Sequence, residues 1–178
     1  MTLHTHYCSY AFREYNSVAM RKLWNRPDYP VWSLVTLGPD SLFNMNICTY
    51  VTVFAMEPKS ILVAVYTGTK SHRNITAGKK VRLQLLTERQ AFLVRLLGRK
   101  SGNMINKITH LEKSALLSYT GTWPYLTHIA GYVDLQITKI ITTGQDHDLV
   151  LGSIIAHKNL SEEPILTTTY LKDKHFTR

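Results

Sequence analysis

Short apolar stretches rich in β-branched and aromatic residues alternate with turn formers along this chain. VWSLVTL (31–37), ICTYVTVFAM (47–56), ILVAVYT (61–67) and VRLQLLT (81–87) are separated by Gly38-Pro39-Asp40, Glu57-Pro58-Lys59 and Gly68. That pattern predicts four strands. In the last of them Val81, Leu83 and Leu85 alternate with Arg82, Gln84 and Leu86, the period of a strand with one buried face. From 87 to 98 the period changes. Phe92, Leu93, Leu96 and Leu97 share one helical face, Thr87 and Gln90 have the spacing of a capping box, and Gly98 stands where a left-handed C-terminal residue belongs. Short helices are expected over 102–108 and 110–119, and strands return over 132–141, 149–157 and 165–171. A helix over 15–24 is expected to cover one end of the domain with Met20, Leu23 and Trp24 inward. About seven strands with few, short helices predict a mainly β fold, an antiparallel, closed or partly closed barrel carrying helical insertions.

One polar segment interrupts this apolar rhythm. AVYTGTKSHRNITAG (64–78) leaves a strand and spends ten residues on hydroxyls, amines, an imidazole and a glycine. Ser71 suits an N-cap, and Asn74, Ile75 and Ala77 before Gly78 fit a helix of little more than one turn. Free amides at that helix start, the Thr69 and Ser71 hydroxyls and the Lys70 ammonium together make a cradle suited to a phosphate monoester. The plainer reading is an ordinary cap in a strand-to-helix loop.

Composition narrows the classes. The 178 residues, 44% hydrophobic and 19% charged, suffice for one substantial core and one domain spanning 1–178. No apolar run approaches the ~20 residues of a spanning helix. The first sixteen residues lack a basic stretch followed by an apolar core, so no membrane partner and a cytoplasmic location are expected. Cys8 and Cys48 are the only cysteines, which fits a reducing compartment. The excess of 21 Lys and Arg over 12 Asp and Glu, a net charge of +9, favours anionic partners. Its basic residues are scattered, without the interleaved aromatics that stack bases, so nucleic acid is not the expected partner. Eight histidines show no ligand spacing, and no metal site is expected. No Ser-His-Asp order, isolated carboxylate pair or G-x-G-x-x-G loop occurs.

The residues upstream of the polar segment, NMNICTYVTVFAMEPKSILVAVY (44–66), resemble, together with it, the flavin reductase-like family of FMN-binding split barrels. Asn44, Thr49, Glu57-Pro58, the strand 61–66 and Lys70-Ser71-His72-Arg73-Asn74-Ile75 stand at the matching positions. Downstream, VRLQLLTERQAFLVRLLGRKSG (81–102), GQDHDLVLG (144–152) and the segment from Pro164 to Tyr170 extend the resemblance over about 30–171, the barrel core. Residues 110–127 have no counterpart.

The resemblance implies an isoalloxazine ring lying along Asn46, Ile47, Cys48 and Thr49, held largely by backbone groups. It implies a phosphate against Thr67 to Ser71, the stretch holding Thr69 and Lys70, with Lys70 as counter-charge and Asn74 closing the helix start; Tyr66 is implied among the flavin-binding residues. Lys70 on its own also reads as a solvated surface lysine, and Cys48 as a small hydrophobe. On the Gly144 turn, Asp146 is expected to bond nearby amides while His147 meets the nicotinamide or flavin edge as the catalytic candidate; the alternative is that Asp146 shapes the turn and His147 packs at a subunit contact. The implied activity is hydride transfer from NAD(P)H to bound FMN, with FAD as the other candidate flavin, by a homodimer acting on free flavin or a small acceptor. The alternative is an FMN-holding or electron-transfer protein without its own NAD(P)H site.

Overall fold

The computed structural model describes residues 22–176. Seven strands form one antiparallel sheet: β1 (Trp32–Leu37), β2 (Phe43–Cys48), β3 (Val51–Met56), β4 (Lys59–Tyr66), β5 (Lys80–Leu85), β8 (Gly131–Ile141) and β9 (His147–Asn159). A separate hairpin pairs β6 (Leu117–Thr120) with β7 (Trp123–Leu126). The sheet order is β2-β1-β5-β8-β9-β4-β3. Its two end strands, β2 and β3, are nevertheless joined in the chain by Thr49 and Tyr50 alone. Seven strands cannot have edges two residues apart unless the sheet curls round on itself, so the sheet is a barrel split between β2 and β3.

Two apolar cores follow from the curl. Leu34, Ile61, Val63, Val65, Val81, Leu83, Leu135 and Val150 point into the barrel, where Ile75 of α1 (Lys70–Ala77) joins them. Outside it, Val35, Met45 and Leu86 pack against Leu93, Val94, Leu97, Leu111 and Leu126, which come from a 3-10 segment (Glu88–Leu93), α2 (Val94–Arg99), α3 (Lys107–Lys113) and the hairpin. The central positions of β1 and β5 are therefore buried on both faces.

That second layer corrects the one-faced reading of β5. Arg82 is only 1% exposed and Gln84 is fully buried. Arg82 Nε and Nη2 donate to both carboxylate oxygens of Asp134 at 2.7 and 3.0 Å, Nη1 donates to the Trp123 carbonyl at 3.0 Å, and the guanidinium lies 3.9 Å from the Tyr132 ring centroid. Burial alone would raise the Asp134 carboxyl, but the hydrogen bonds from Arg82 and Lys80 outweigh it and hold the carboxyl below its usual range. Gln84 Oε1 accepts the Leu126 N–H at 2.6 Å, stitching the hairpin to the sheet.

Other boundaries differ from the sequence pattern. The expected strand 47–56 breaks at Thr49-Tyr50, because the chain there crosses from one sheet edge to the other. The Thr87–Gln90 capping box is present, but the helix it starts is a 3-10 segment that continues as α2, and Gly98 lies inside α2 rather than after it. One helix, α3, begins at Lys107 where two were expected, over 102–108 and 110–119, and β6 begins at Leu117. The expected closing strand 165–171 contributes only the isolated bridges Thr87–Ile165 and Pro30–Thr167. It then turns into α4 (Thr168–Asp173), whose N-cap Thr167 accepts the Tyr170 N–H, while Asp28 accepts from Thr168 Oγ1 and Thr169 N–H. Three successive threonines suit a strand, yet their hydroxyls satisfy a helix start equally well. Most of the expected helix 15–24 lies outside the described residues. Of its inward set, Leu23 and Trp24 belong to a short 3-10 turn (Leu23–Asn25) and are 72% and 68% exposed, so neither packs inward.

Candidate functional site

The split is where the chemistry-bearing residues meet. β2 pairs with β1 alone, so its outer edge faces the gap with no strand partner. A cavity of about 290 Å³ opens there, lined by Leu34, Asn46, Ile47, Cys48, Thr49, Tyr50, Ala64, Val65, Tyr66 and His147. A second, of about 430 Å³, shares Asn46, Ile47 and Tyr66 with it and runs on past Gly68, Thr69, Lys70 and Ser71 to the α2–α3 segment at Ser101, Gly102 and Lys107. Together they form one bent cleft, an apolar slot at one end and a polar corner at the other. At their junction Asn46 Oδ1 is buried and has no hydrogen-bond partner among the described residues.

The polar corner is built by α1. Its N-cap is Thr69, not Ser71: Thr69 Oγ1 accepts the His72 N–H at 3.1 Å and donates to the Tyr66 carbonyl at 2.8 Å. Ser71 instead faces inward, fully buried, where its hydroxyl oxygen accepts from Asn44 Nδ2 at 2.9 Å and its own hydrogen stays available to donate. Gly102 closes the opposite wall so tightly that a Cβ there would meet Asn44 Oδ1 at 2.2 Å. Lys70 lines the corner, but its ammonium pairs with Asp40 at 3.2 Å. The Leu42 N–H and Lys70 hold the Asp40 carboxyl below its usual range. Lys107 is a different case. It is 4% exposed, its ammonium donates to the Leu97 carbonyl at 2.6 Å, and burial pushes it down to about 8.

The slot ends at His147, the first residue of β9 and the register partner of Tyr66. Its ring lies between those of Tyr50 and Tyr66 at centroid distances of 5.6 and 5.4 Å. Asp146 bonds His147 Nδ1 at 2.9 Å rather than nearby amides, leaving Nε2 as the free ring nitrogen. The turn that presents them needs Gly144 at φ +72°. Asp148, not Asp146, ties the turn down: it accepts the Thr143 N–H and sits 2.9 Å from His72 Nε2 on α1, contacts that lower its carboxyl, His72 most. Cys48 stays a thiol, since burial pushes it up to about 12.

Of the residues singled out from sequence, Asn46, Ile47, Cys48, Thr49, Tyr66, Thr69, Lys70, Ser71 and His147 line the cleft. Thr67 does not. Its N–H and hydroxyl donate to the Asp146 carbonyl and so clamp the His147 turn to β4. Nor does Asn74, whose amide donates to Thr36 Oγ1 at 3.1 Å and pins α1 to β1. Sequence reasoning missed Lys107, which carries no local signal. It reaches the cleft only because α3 folds back onto β2. Among the described residues no group of three or more His, Cys, Asp or Glu could hold a metal ion.

The chain matches the profile of the flavin reductase like domain over residues 25–177, most of its length. It belongs to the flavin reductase-like family. Solved structures share the fold at low identity. An FMN-binding protein of Thermus thermophilus, crystallised with 1-cyclohex-2-enone, is 18% identical with a TM-score of 0.67, over 85% of this chain and 80% of its own. An NADH:FAD oxidoreductase of Streptomyces globisporus C-1027, in complex with NAD and FAD fragments, is 15% identical with a TM-score of 0.68, over 81% and 82%. The styrene monooxygenase flavin reductase of Pseudomonas putida S12 is 14% identical with a TM-score of 0.65, over 79% and 85%. The chain spans about half, 48%, of a Sinorhizobium meliloti structure of TM-score 0.69 and 16% identity. No curated protein matches the sequence. No helix of this flavin reductase-like domain, among its described residues, is long and apolar enough to cross a membrane.

Proposed function

We propose that this flavin reductase-like protein holds FMN in the bent cleft and passes hydride from NAD(P)H to it, acting in the cytoplasm as a homodimer. The observation that carries the reading is the continuity of the cleft, with a buried, unpartnered acceptor, Asn46 Oδ1, at its bend. The residues present fit such a cofactor. An apolar slot beside an unpaired strand edge suits a flat heteroaromatic ring with N–H and C=O groups along one side. The corner of Thr69, Ser71 and Lys107 suits a phosphate ester. Asn46 Oδ1 offers an acceptor to a donor lying between them.

Bound flavin supplies a reversible hydride acceptor, so the chain needs no general base of its own. Leu34, Ile47, Ala64 and Val65 line the slot with apolar walls, which would exclude water once a ring fills it. His147, held at Nδ1 by Asp146 and flanked by Tyr50 and Tyr66, is the group positioned to orient a nicotinamide at the slot's mouth. The homodimer is supported by the apolar edge strand β3, where Val53, Phe54 and Met56 are exposed.

The test is optical. The purified protein, or protein incubated with FMN and desalted, is expected to be yellow and to bleach anaerobically at catalytic rates with NADH or NADPH. Yellow protein bleached only by dithionite points instead to a flavin-holding or electron-transfer role, and colourless protein that takes up no FMN overturns the reading.

A further inference from the structure

We propose that Lys107, at the start of α3, is the cation that binds the flavin's phosphate monoester. The proposal rests on the flavin reading above and assigns its anionic end. The counter-charge expected from sequence, Lys70, already has one: its ammonium pairs with Asp40 on the outer side of α1. Arg73 donates to Asn103, and Arg99 donates to the Phe176 carbonyl at 3.2 Å.

Among the described residues, Lys107 alone combines burial with an unmet charge. An ammonium carries three N–H donors. Here one meets the Leu97 carbonyl, and no carboxylate among the described residues lies within ion-pairing distance of the others. A cation 96% removed from solvent without a carboxylate is costly to keep. Capping the end of α2 accounts for one hydrogen bond, a task that a neutral donor performs without the charge. Lys107 lines the same cavity as Thr69, Ser71, Ser101 and Gly102. Ser71, held by Asn44, has its hydroxyl hydrogen to give on the facing wall. A phosphate seated between α1 and α3 would satisfy Ser71 and the Lys107 ammonium at once.

The test compares flavins with and without phosphate on the full chain. FMN and riboflavin are titrated into wild type, Lys107→Gln and Lys107→Arg, with binding followed by flavin fluorescence. The expected result is that Lys107→Gln loses about tenfold or more of the FMN affinity, as for a charge-assisted hydrogen bond, while riboflavin affinity stays within about twofold and Lys107→Arg recovers most of the loss. If Lys107→Gln does not fold, Lys107→Met gives the same comparison with a side chain better suited to a dry site. An unchanged ratio of FMN to riboflavin affinity in either neutral variant overturns the assignment and leaves the flavin reading standing. A wild type that binds neither flavin removes both.

Discussion

Lys107 is costly to the folded state when no anion is bound. Its ammonium falls from an ordinary 10.5 to about 8 on burial, which corresponds to a destabilisation on the order of 3 kcal/mol at neutral pH. The sign follows from proton binding. Between pH 8 and 10.5 the unfolded chain holds a proton at this lysine that the folded chain has released, so folded stability rises with pH across that window. Lys107→Met in anion-poor buffer is therefore expected to be more stable than wild type at pH 7, with the gap closing as the pH approaches 10.5. Urea denaturation of both proteins at several pH values measures it, and parallel profiles would refute it. Residue identity alone made such a lysine illegible: in the sequence it is one of 21 basic residues, and only its neighbours in space give it meaning. Ser71 shows the converse. Its presence at a helix start was readable, but the cap is Thr69, because the inward face of α1 at Ser71 meets Asn44.

Among elements, β5 joins the two cores. Its inward Val81 and Leu83 were legible as an alternating strand, whereas the burial of Arg82 and Gln84 depends on the β6–β7 hairpin, whose first strand the sequence pattern assigned to a helix over 110–119 and whose second it left unassigned. Arg82 meets Asp134 on the neighbouring strand β8 and the Trp123 carbonyl on the hairpin, so one side chain fixes three elements. Removing Arg82 leaves the buried Asp134 carboxylate with Lys80, 3.1 Å away, as its remaining ion partner. Arg82→Met is expected to cost about 3–5 kcal/mol, and the double variant Arg82→Met/Asp134→Leu clearly less, because the second change removes a buried carboxylate that Lys80 alone then compensates. Thermal or urea unfolding of Arg82→Met, Asp134→Leu and the double variant decides it. A double variant as unstable as the sum of its single changes would mean that the charges do not act as a pair. The cleft itself lies two strands away and should still bind flavin in the double variant.

At the scale of the molecule, the sheet order came from no local pattern. Strands could be recognised one at a time, but only the resemblance to a family joined them into a split barrel, since pairing β2 and β3 with opposite edges of the sheet is a long-range fact. The split leaves two open edges. That of β2 borders the cleft, whereas β3 pairs only with β4 and carries Val53, Phe54 and Met56 at 53%, 47% and 72% exposure. An edge strand with large apolar side chains on both of its faces invites pairing unless a partner covers it. No lysine, proline or buried charge within β3 itself guards against that pairing. A second copy of the chain, docked on β3, would bury these side chains through an isologous contact. Wild-type protein is expected to elute with light scattering at twice the monomer mass, and Phe54→Lys/Met56→Lys at the monomer mass with an unchanged far-UV spectrum. A monomeric wild type would sink the homodimer, and a dimeric double variant would move the contact to another face of the barrel.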